Sequence, residues 1–494
     1  MKHVVVNTSV SKGTINRNIY GQFAEHLGRC IYEGVFVKEK DGIPNVNGMR
    51  TDVMEALKKI RVPLVRWPGG CFADTYHWKD GIGPASERST IVNTNWGGVT
   101  EDNSFGTHEF MEFVKQLGCE AYISGNVGSG TVQEFSDWIE YCNMGGVSPM
   151  ATLRRKNGQD APWNIKYWGI GNEAWGCGGN MTAEYYSDEA KRFSTYMRNY
   201  DPEHPIYKIA SGSNAADYHW TKTVCEKAGN MIDAITFHYY TVTHEWSNKG
   251  KATDFTVEEY YKLLHKTMFM DELIENHSRI VKEYSKNGHN IDLIVDEWGT
   301  WYSVEEGTNP GFLYQQNAMR DAVLAAVNLN IFNNHCDRVV MTNIAQMVNV
   351  LQAMILTDGA KMLLTPTYHV YDLYSAHQDA KQVETYVDSD IIGCEEEFTV
   401  PRLTVSASEK DGKLTVTLVN LSDREESEIG IFLSGVKAKG VNARVLSGDM
   451  HAHNTFAKPD TVKTSQLKAE LANERKITAT VPACSVCSFE ITED

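Results

Sequence analysis

The sequence predicts a parallel (β/α)₈ TIM barrel with a C-terminal antiparallel β-sandwich domain. Two observations carry this reading. Eight short apolar, β-rich segments alternate with helical patterns as far as His377, and beyond it alternating strands follow one another with no helical period between them.

The eight segments, in order, are NIYGQFAEH, VPLVRWPGG, AYISGNVGSG, IKYWGIGNE, IYKIASGSN, AITFHYY, LIVDEWG and VVMTNIAQ. The stretches between them, such as RTDVMEALKKI, SFGTHEFMEFVKQLG, AEYYSDEAKRFSTYMRNY and DELIENHSRIVKEYSKNG, repeat apolar residues three and four apart, the spacing of an amphipathic helix. Strands joined this way run parallel and close into a ring. Past His377 come FTVPRLTVSAS, KLTVTLVNLS, EIGIFLSG, NARVLSG and KITATVPACSVCSFEI, with Asp411-Gly412 as a hairpin turn between the first two. The expected division is a barrel over residues 15–377 and a sandwich over residues 378–494. The strand-like HVVVNTSVSKG is not needed by the barrel, so residues 1–14 are expected to add a strand to the sandwich.

Composition narrows the function classes. The 494 residues carry 47 basic against 64 acidic side chains, a formal charge of −17, with no Lys/Arg-rich cluster, which argues against nucleic acid as a partner. The opening MKHVVVNTSV lacks the apolar core of a signal peptide, and no run of about 18 apolar residues suggests a membrane span. A cytoplasmic location and no membrane partner are therefore expected. The 10 cysteines then read as mostly free thiols. The one CxxC, Cys484 and Cys487, lies in an alternating segment that sends the two to opposite faces, against a metal or redox role.

In a parallel barrel, polar groups at the C-terminal strand ends share one mouth. In order these are Glu25 and His26; Arg66 with Gly69, Gly70 and Cys71; Asn126; Asn172 and Glu173; Ser211 and Asn214; His238 and Tyr240; Glu297 and Trp298; and Gln346. Glu173 ends strand four and Glu297 ends strand seven, nearly opposite in a ring of eight. Paired carboxylates across a mouth are the apparatus of glycoside hydrolysis, one as acid and the other as nucleophile or base. Trp175 near Glu173, and Trp298 and Trp301 near Glu297, can desolvate the pair, which raises a carboxyl pKa as a general acid requires. Alternation turns Asp296 away from Glu297 and makes it structural. No HxxxH or HxH spacing joins His26, His77 and His238, so hydrogen bonding is expected of them and no metal site. Gly69-Gly70 lies in neither pattern of a phosphate-binding loop.

The ordered motifs GQFAEHLGRCIYEGV, RWPGGCFADTYHWKDGIGP, NWGGVTEDNSFGTHEF, WGIGNEAWGCGG, FHYY, DEWGTWY and IAQMVNV resemble those of glycoside hydrolase family 51, the intracellular α-L-arabinofuranosidases, over essentially the whole chain. The resemblance implies Glu173, in GNE, as general acid/base and Glu297, in DEW, as nucleophile. It implies Glu25, Cys71, Asn172, Tyr240 and Gln346 against the sugar ring, Trp96 and Trp301 at the substrate-binding mouth, and Arg66 and His238 as supports of the nucleophile. At the position of Cys71 the family carries Asn or Cys, and a thiol hydrogen-bonds the sugar more weakly. A retaining double displacement without cofactor follows, with carboxyl groups about 5–5.5 Å apart, acting on arabinose-containing oligosaccharides in a homohexamer. The competing readings are a bifunctional β-D-xylosidase/arabinofuranosidase, a carbohydrate-binding protein on an inactive barrel, and a metal-dependent hydrolase.

Overall fold

The computed structural model describes residues 1–286, 288–394 and 397–493. All eight segments become strands of one closed barrel: Gly21–Phe23, Leu64–Trp67, Glu120–Gly125, Tyr167–Ile170, Tyr207–Asn214, Ala234–Thr241, Asp292–Thr300 and Val339–Ile344. Every adjacent pair runs parallel, and the eighth strand closes on the first through Asn343 opposite Gly21. The inward residues Leu64, Tyr122, Tyr167, Ile209, Ala234, Ile294 and Met341 form their own buried cluster, so the barrel interior is a packed core. The outward residues join the helices in the main core.

Helix boundaries follow local chemistry. Val257–Tyr284 starts at Thr256, whose hydroxyl accepts from Glu259 N while the Glu259 side chain reaches back to Thr256 N. Thr107–Leu117 ends on Gly118 in the left-handed region.

The C-terminal domain is a ten-stranded sheet folded over its own core. Val4, Val383, Val416, Ile431, Ile477 and Phe489 come from strands along its whole width and pack in one cluster. Asp411 and Gly412 both take positive φ at the hairpin, opposing Lys410 to Lys413. KITATVPACSVCSFEI is two strands, Lys476–Val481 and Ser485–Glu493, because Pro482 to Cys484 turn the chain. Cys484 faces the barrel core and Cys487 the sandwich core, both as free thiols. The strand Lys2–Asn7 lies inside this sheet, antiparallel to Lys381–Val387 and parallel to Ser427–Ser434. Among the described residues no helix is long and apolar enough to cross a membrane.

His377 is buried where the barrel meets the sandwich, its ring nitrogens 2.7 Å from Ser408 Oγ and 3.0 Å from Thr417 Oγ1. Burial pushes its pKa down to about 3. A histidine held neutral in the fold but free to protonate when unfolded gives stability that is complete above about 6.5 and is lost as pH falls below it. We expect the thermal midpoint to drop between pH 7 and pH 5. His377→Gln should retain about 2 kcal/mol more of its own neutral-pH stability over that interval; parallel melting curves for the two proteins would contradict this.

Candidate active site

Glu173 follows strand four through Gly171 and Asn172, and takes a left-handed backbone conformation, φ +39°. Such a conformation in a non-glycine residue needs support. Asp74 supplies it, accepting from Asn172 N at 2.9 Å and from Val127 N and Gly128 N at 2.8 Å each. Glu297 lies within strand seven, beside His238 of strand six in register. Strand seven carries one extra residue between Ile294 and Glu297 relative to strand six, a β-bulge that re-aims the side chains around it.

The carboxylates meet at the mouth. One oxygen of Glu173, one of Glu297 and a ring nitrogen of His238 all lie within 4.8 Å of one another. Glu297 is held at both oxygens: Arg66 Nη1 donates to Oε1 at 2.8 Å and Tyr240 OH to Oε2 at 2.7 Å. Arg66 also donates through Nη2 to Asn172 Oδ1 at 2.6 Å, and its guanidinium lies over the Phe23 ring. Glu173 Oε1 sits 2.8 Å from His238 Nδ1. Burial first, and then the charge of Glu297, hold the Glu173 carboxyl above its ordinary pKa. Burial opposes charge on His238 as well, but Glu297 and Asp296 outweigh it and raise its pKa to about 10. A proton exchanged between the two groups would pass along this 2.8 Å contact.

Glu25 forms the opposite wall. Its Oε1 accepts from Gly70 N, Phe72 N and Trp96 Nε1, and its Oε2 from Gln346 Nε2 at 2.9 Å. Burial and the charge of Glu297 raise its pKa to about 7. The glycines of RWPGG have a steric reason here. A Cβ on Gly69 would stand 2.6 Å from Glu25 Cγ, and one on Gly70 would stand 2.8 Å from Glu297 Oε1.

The resulting cavity has a volume of 360 Å³ and is lined by Glu25, Cys71, Trp96, Glu173, His238, Tyr240, Glu297, Trp301 and Gln346, with Trp175 and Trp246 on its flank. Arg66 and Asn172 stand behind it as hydrogen-bonding supports. All eleven residues named for the site in the sequence thus gather at this mouth. Tyr240, Trp301 and Trp246 continue outward as an edge-to-face series with centroids 5.1 and 5.4 Å apart.

Several expectations need correction. Cys71 is not a free thiol: its Cα lies 5.5 Å from that of Cys177 and the two form a disulfide. In that state Cys71 has no S–H to offer a sugar and serves as wall. Asp296 does not turn away, because the extra residue in strand seven breaks the alternation that predicted it. Its Oδ1 lies 3.0 Å from His238 Nε2, and its Oδ2 accepts from Tyr122 OH at 2.8 Å and lies 3.3 Å from Arg66 Nε. Trp298 points into the helix layer, donating to Thr342 Oγ1 and packing on Phe332, and does not desolvate Glu297. His26 and Asn126, expected at the mouth, do not line the cavity: His26 lies in a buried aromatic cluster and Asn126 organises its own loop. The hydrogen bonding expected of His26 and His77 is present, His26 accepting from Trp67 Nε1 and His77 pairing with Glu134 at the surface. Trp246 escaped the sequence reading; a tryptophan in the polar loop directly after strand six was its only signal.

Two triads bring metal-ligand atoms within 4.8 Å of one another among the described residues, Cys71–Glu173–Cys177 and Glu173–His238–Glu297. The first has both sulfurs in the disulfide. The second has its atoms engaged by Arg66, Tyr240 and one another.

Comparison with known proteins agrees with this geometry. Residues 56–258 match the family model "Alpha-L-arabinofuranosidase 1 domain" and residues 296–485 the model "Alpha-L-arabinofuranosidase C-terminal domain". The chain is 47% identical to an intracellular exo-α-L-arabinofuranosidase of Bacteroides ovatus, over 99% of this chain and 95% of that protein. Among solved structures, a family 51 arabinofuranosidase from Xanthomonas axonopodis pv. citri superposes with a TM-score of 0.97 at 44% identity, covering 99% of each chain. The α-L-arabinofuranosidase of Thermotoga maritima, solved as an arabinose complex, gives 0.85 at 34% identity with 100% of each chain covered. With two strand-end glutamates facing each other across the mouth of a barrel and that likeness running through both domains, the chain belongs to the α-L-arabinofuranosidases of glycoside hydrolase family 51.

Proposed function

We propose that the protein releases terminal α-L-arabinofuranosyl residues from arabinan- or arabinoxylan-derived oligosaccharides, with retention of configuration. The observation that carries this is the approach of Glu173 and Glu297 to within 4.8 Å, oxygen to oxygen, in a cavity of 360 Å³, a volume suited to a single sugar. That spacing supports direct attack by a carboxylate (about 5–5.5 Å) over the roughly 6.5–9.5 Å of an inverting pair, which leaves room for a water.

In the first step Glu297, held at its two oxygens by Arg66 and Tyr240, attacks the anomeric carbon as the bond to the leaving oxygen breaks. Glu173 gives that oxygen its proton, and an arabinosyl ester forms on Glu297. In the second, Glu173 takes a proton from water, the water attacks the same carbon, and the ester bond to Glu297 breaks. Glu25 and Gln346 supply acceptors and donors for ring hydroxyls, Trp96 and Trp301 supply the walls, and Asn172 acts from behind the wall through Arg66. The Bacteroides ovatus relative is named intracellular and exo-acting, which supports a cytoplasmic enzyme trimming short oligosaccharides from their ends. Assembly as a hexamer is part of the same proposal and is tested by light scattering of the purified protein. So is a division of the chain into a catalytic barrel of residues 15–377 and a sandwich of residues 378–494 joined by residues 1–14.

The deciding experiment compares hydrolysis of aryl α-L-arabinofuranoside and aryl β-D-xylopyranoside, with Glu297→Ala as blank. We expect strong preference for the arabinofuranoside, lost in the blank. Comparable turnover of the xyloside would replace this proposal with a bifunctional enzyme, and turnover of neither with a binding protein.

A further inference from the structure

Asp296 and His238 form a line of charge directly beneath the two site glutamates. Asp296 is 2% exposed, and everything it faces is a donor: Tyr122 OH, Arg66 Nε and His238 Nε2. His238 in turn faces Asp296 on one side, and Glu173 at 2.8 Å and Glu297 at 3.6 Å on the other.

The chemistry of these contacts fixes where hydrogens sit. An ionised carboxylate only accepts, so Nε2 of His238 must carry a hydrogen toward Asp296. Nδ1 is then the one ring atom left to exchange a proton with Glu173. When that proton resides on Glu173, its O–H points at the Nδ1 lone pair, and the acid is ready for the leaving group. The opposite tautomer would present a permanent Nδ1–H to Glu173 and hold it as the carboxylate, unable to act as an acid.

We propose that Asp296 is a positioning residue for the acid step, selecting through Nε2–H the tautomer of His238 that lets Glu173 carry a proton. This rests on the reading of Glu173 as general acid. The extra residue in strand seven is the structural device that delivers it, since regular alternation would leave the Asp296 carboxylate on the far side of the strand from His238.

The test is Asp296→Asn, whose amide can donate to Nε2 and stabilise the wrong tautomer. kcat/KM is measured on phenyl and dinitrophenyl α-L-arabinofuranosides, since only the phenyl leaving group needs a proton. The expected result is a loss on the order of 10³ for the phenyl substrate and less than about tenfold for the dinitrophenyl one. Equal losses would mean a merely structural role and overturn the proposal. Glu173→Ala runs in parallel. If it too loses equally on both substrates, the acid assignment itself falls; if it shows the bias and Asp296→Asn does not, only the positioning role falls. Should Asp296→Asn fail to fold, ¹⁵N-histidine spectra of the unaltered enzyme decide, with His238 assigned against His238→Gln. A protonated Nε2 is expected, and an unprotonated one would overturn the proposal.

Discussion

Glu297→Ala is expected to lower kcat on every arabinofuranoside by a factor on the order of 10⁵, whatever the leaving group. The reason is the absence of any replacement for the attacking oxygen. Glu173 is placed to move protons, and Glu25 is tied by four hydrogen bonds from Gly70, Phe72, Trp96 and Gln346, so neither can reach the anomeric carbon as a nucleophile. The fold should survive the change, because Arg66 keeps Asp296 as a buried partner and is not left as an uncompensated charge. Thermal melting of the variant checks the fold, and steady-state kinetics on phenyl and dinitrophenyl substrates check the loss. Retention of more than about a hundredth of the wild-type rate would remove Glu297 from the role of nucleophile.

Glu173→Ala should behave differently. For phenyl arabinofuranoside we expect kcat/KM to fall by about 10³–10⁴, the worth of a positioned general acid. For dinitrophenyl arabinofuranoside, whose leaving group departs without a proton, the loss should stay below about tenfold. The pH profile supplies the second signature. Burial and the charge of Glu297 raise the Glu173 carboxyl, and the first step needs it protonated, so kcat/KM is lost as pH rises through its value in the free enzyme. That alkaline limb should lie above the ordinary carboxylate value of about 4.3 and vanish in Glu173→Ala. An unchanged limb in the variant would assign it to another group.

The barrel is legible in the sequence because each strand is a short apolar run that closes on a polar residue, and the helices between have an unambiguous period. The same rule finds the site, since a parallel barrel collects strand ends at one mouth. Glu25, Arg66, Asn172, Glu173, His238, Glu297 and Gln346 follow from it. What is not legible depends on single-residue departures or on distant parts meeting. One extra residue in strand seven turns Asp296 inward, and a period-two rule has no way to register it. Trp298 obeys the pleat and packs outward, so its nearness to Glu297 in sequence misleads. The partners Cys71 and Cys177 are 106 residues apart and meet only because two strand-end loops converge. In the C-terminal domain, the strand Lys381–Val387, KQVETYV, is polar enough to pass for a linker until its pairing with Lys2–Asn7 is seen.

The central claim is that Glu297 becomes covalently bound to the sugar during turnover. It is tested most directly by peptide-level mass spectrometry of Glu173→Ala quenched during turnover of dinitrophenyl α-L-arabinofuranoside, where the second step is slowed. One pentosyl group is expected on the peptide that contains Glu297. No covalent sugar at all while product accumulates, or a label carried by Glu25 or another carboxylate, would contradict it.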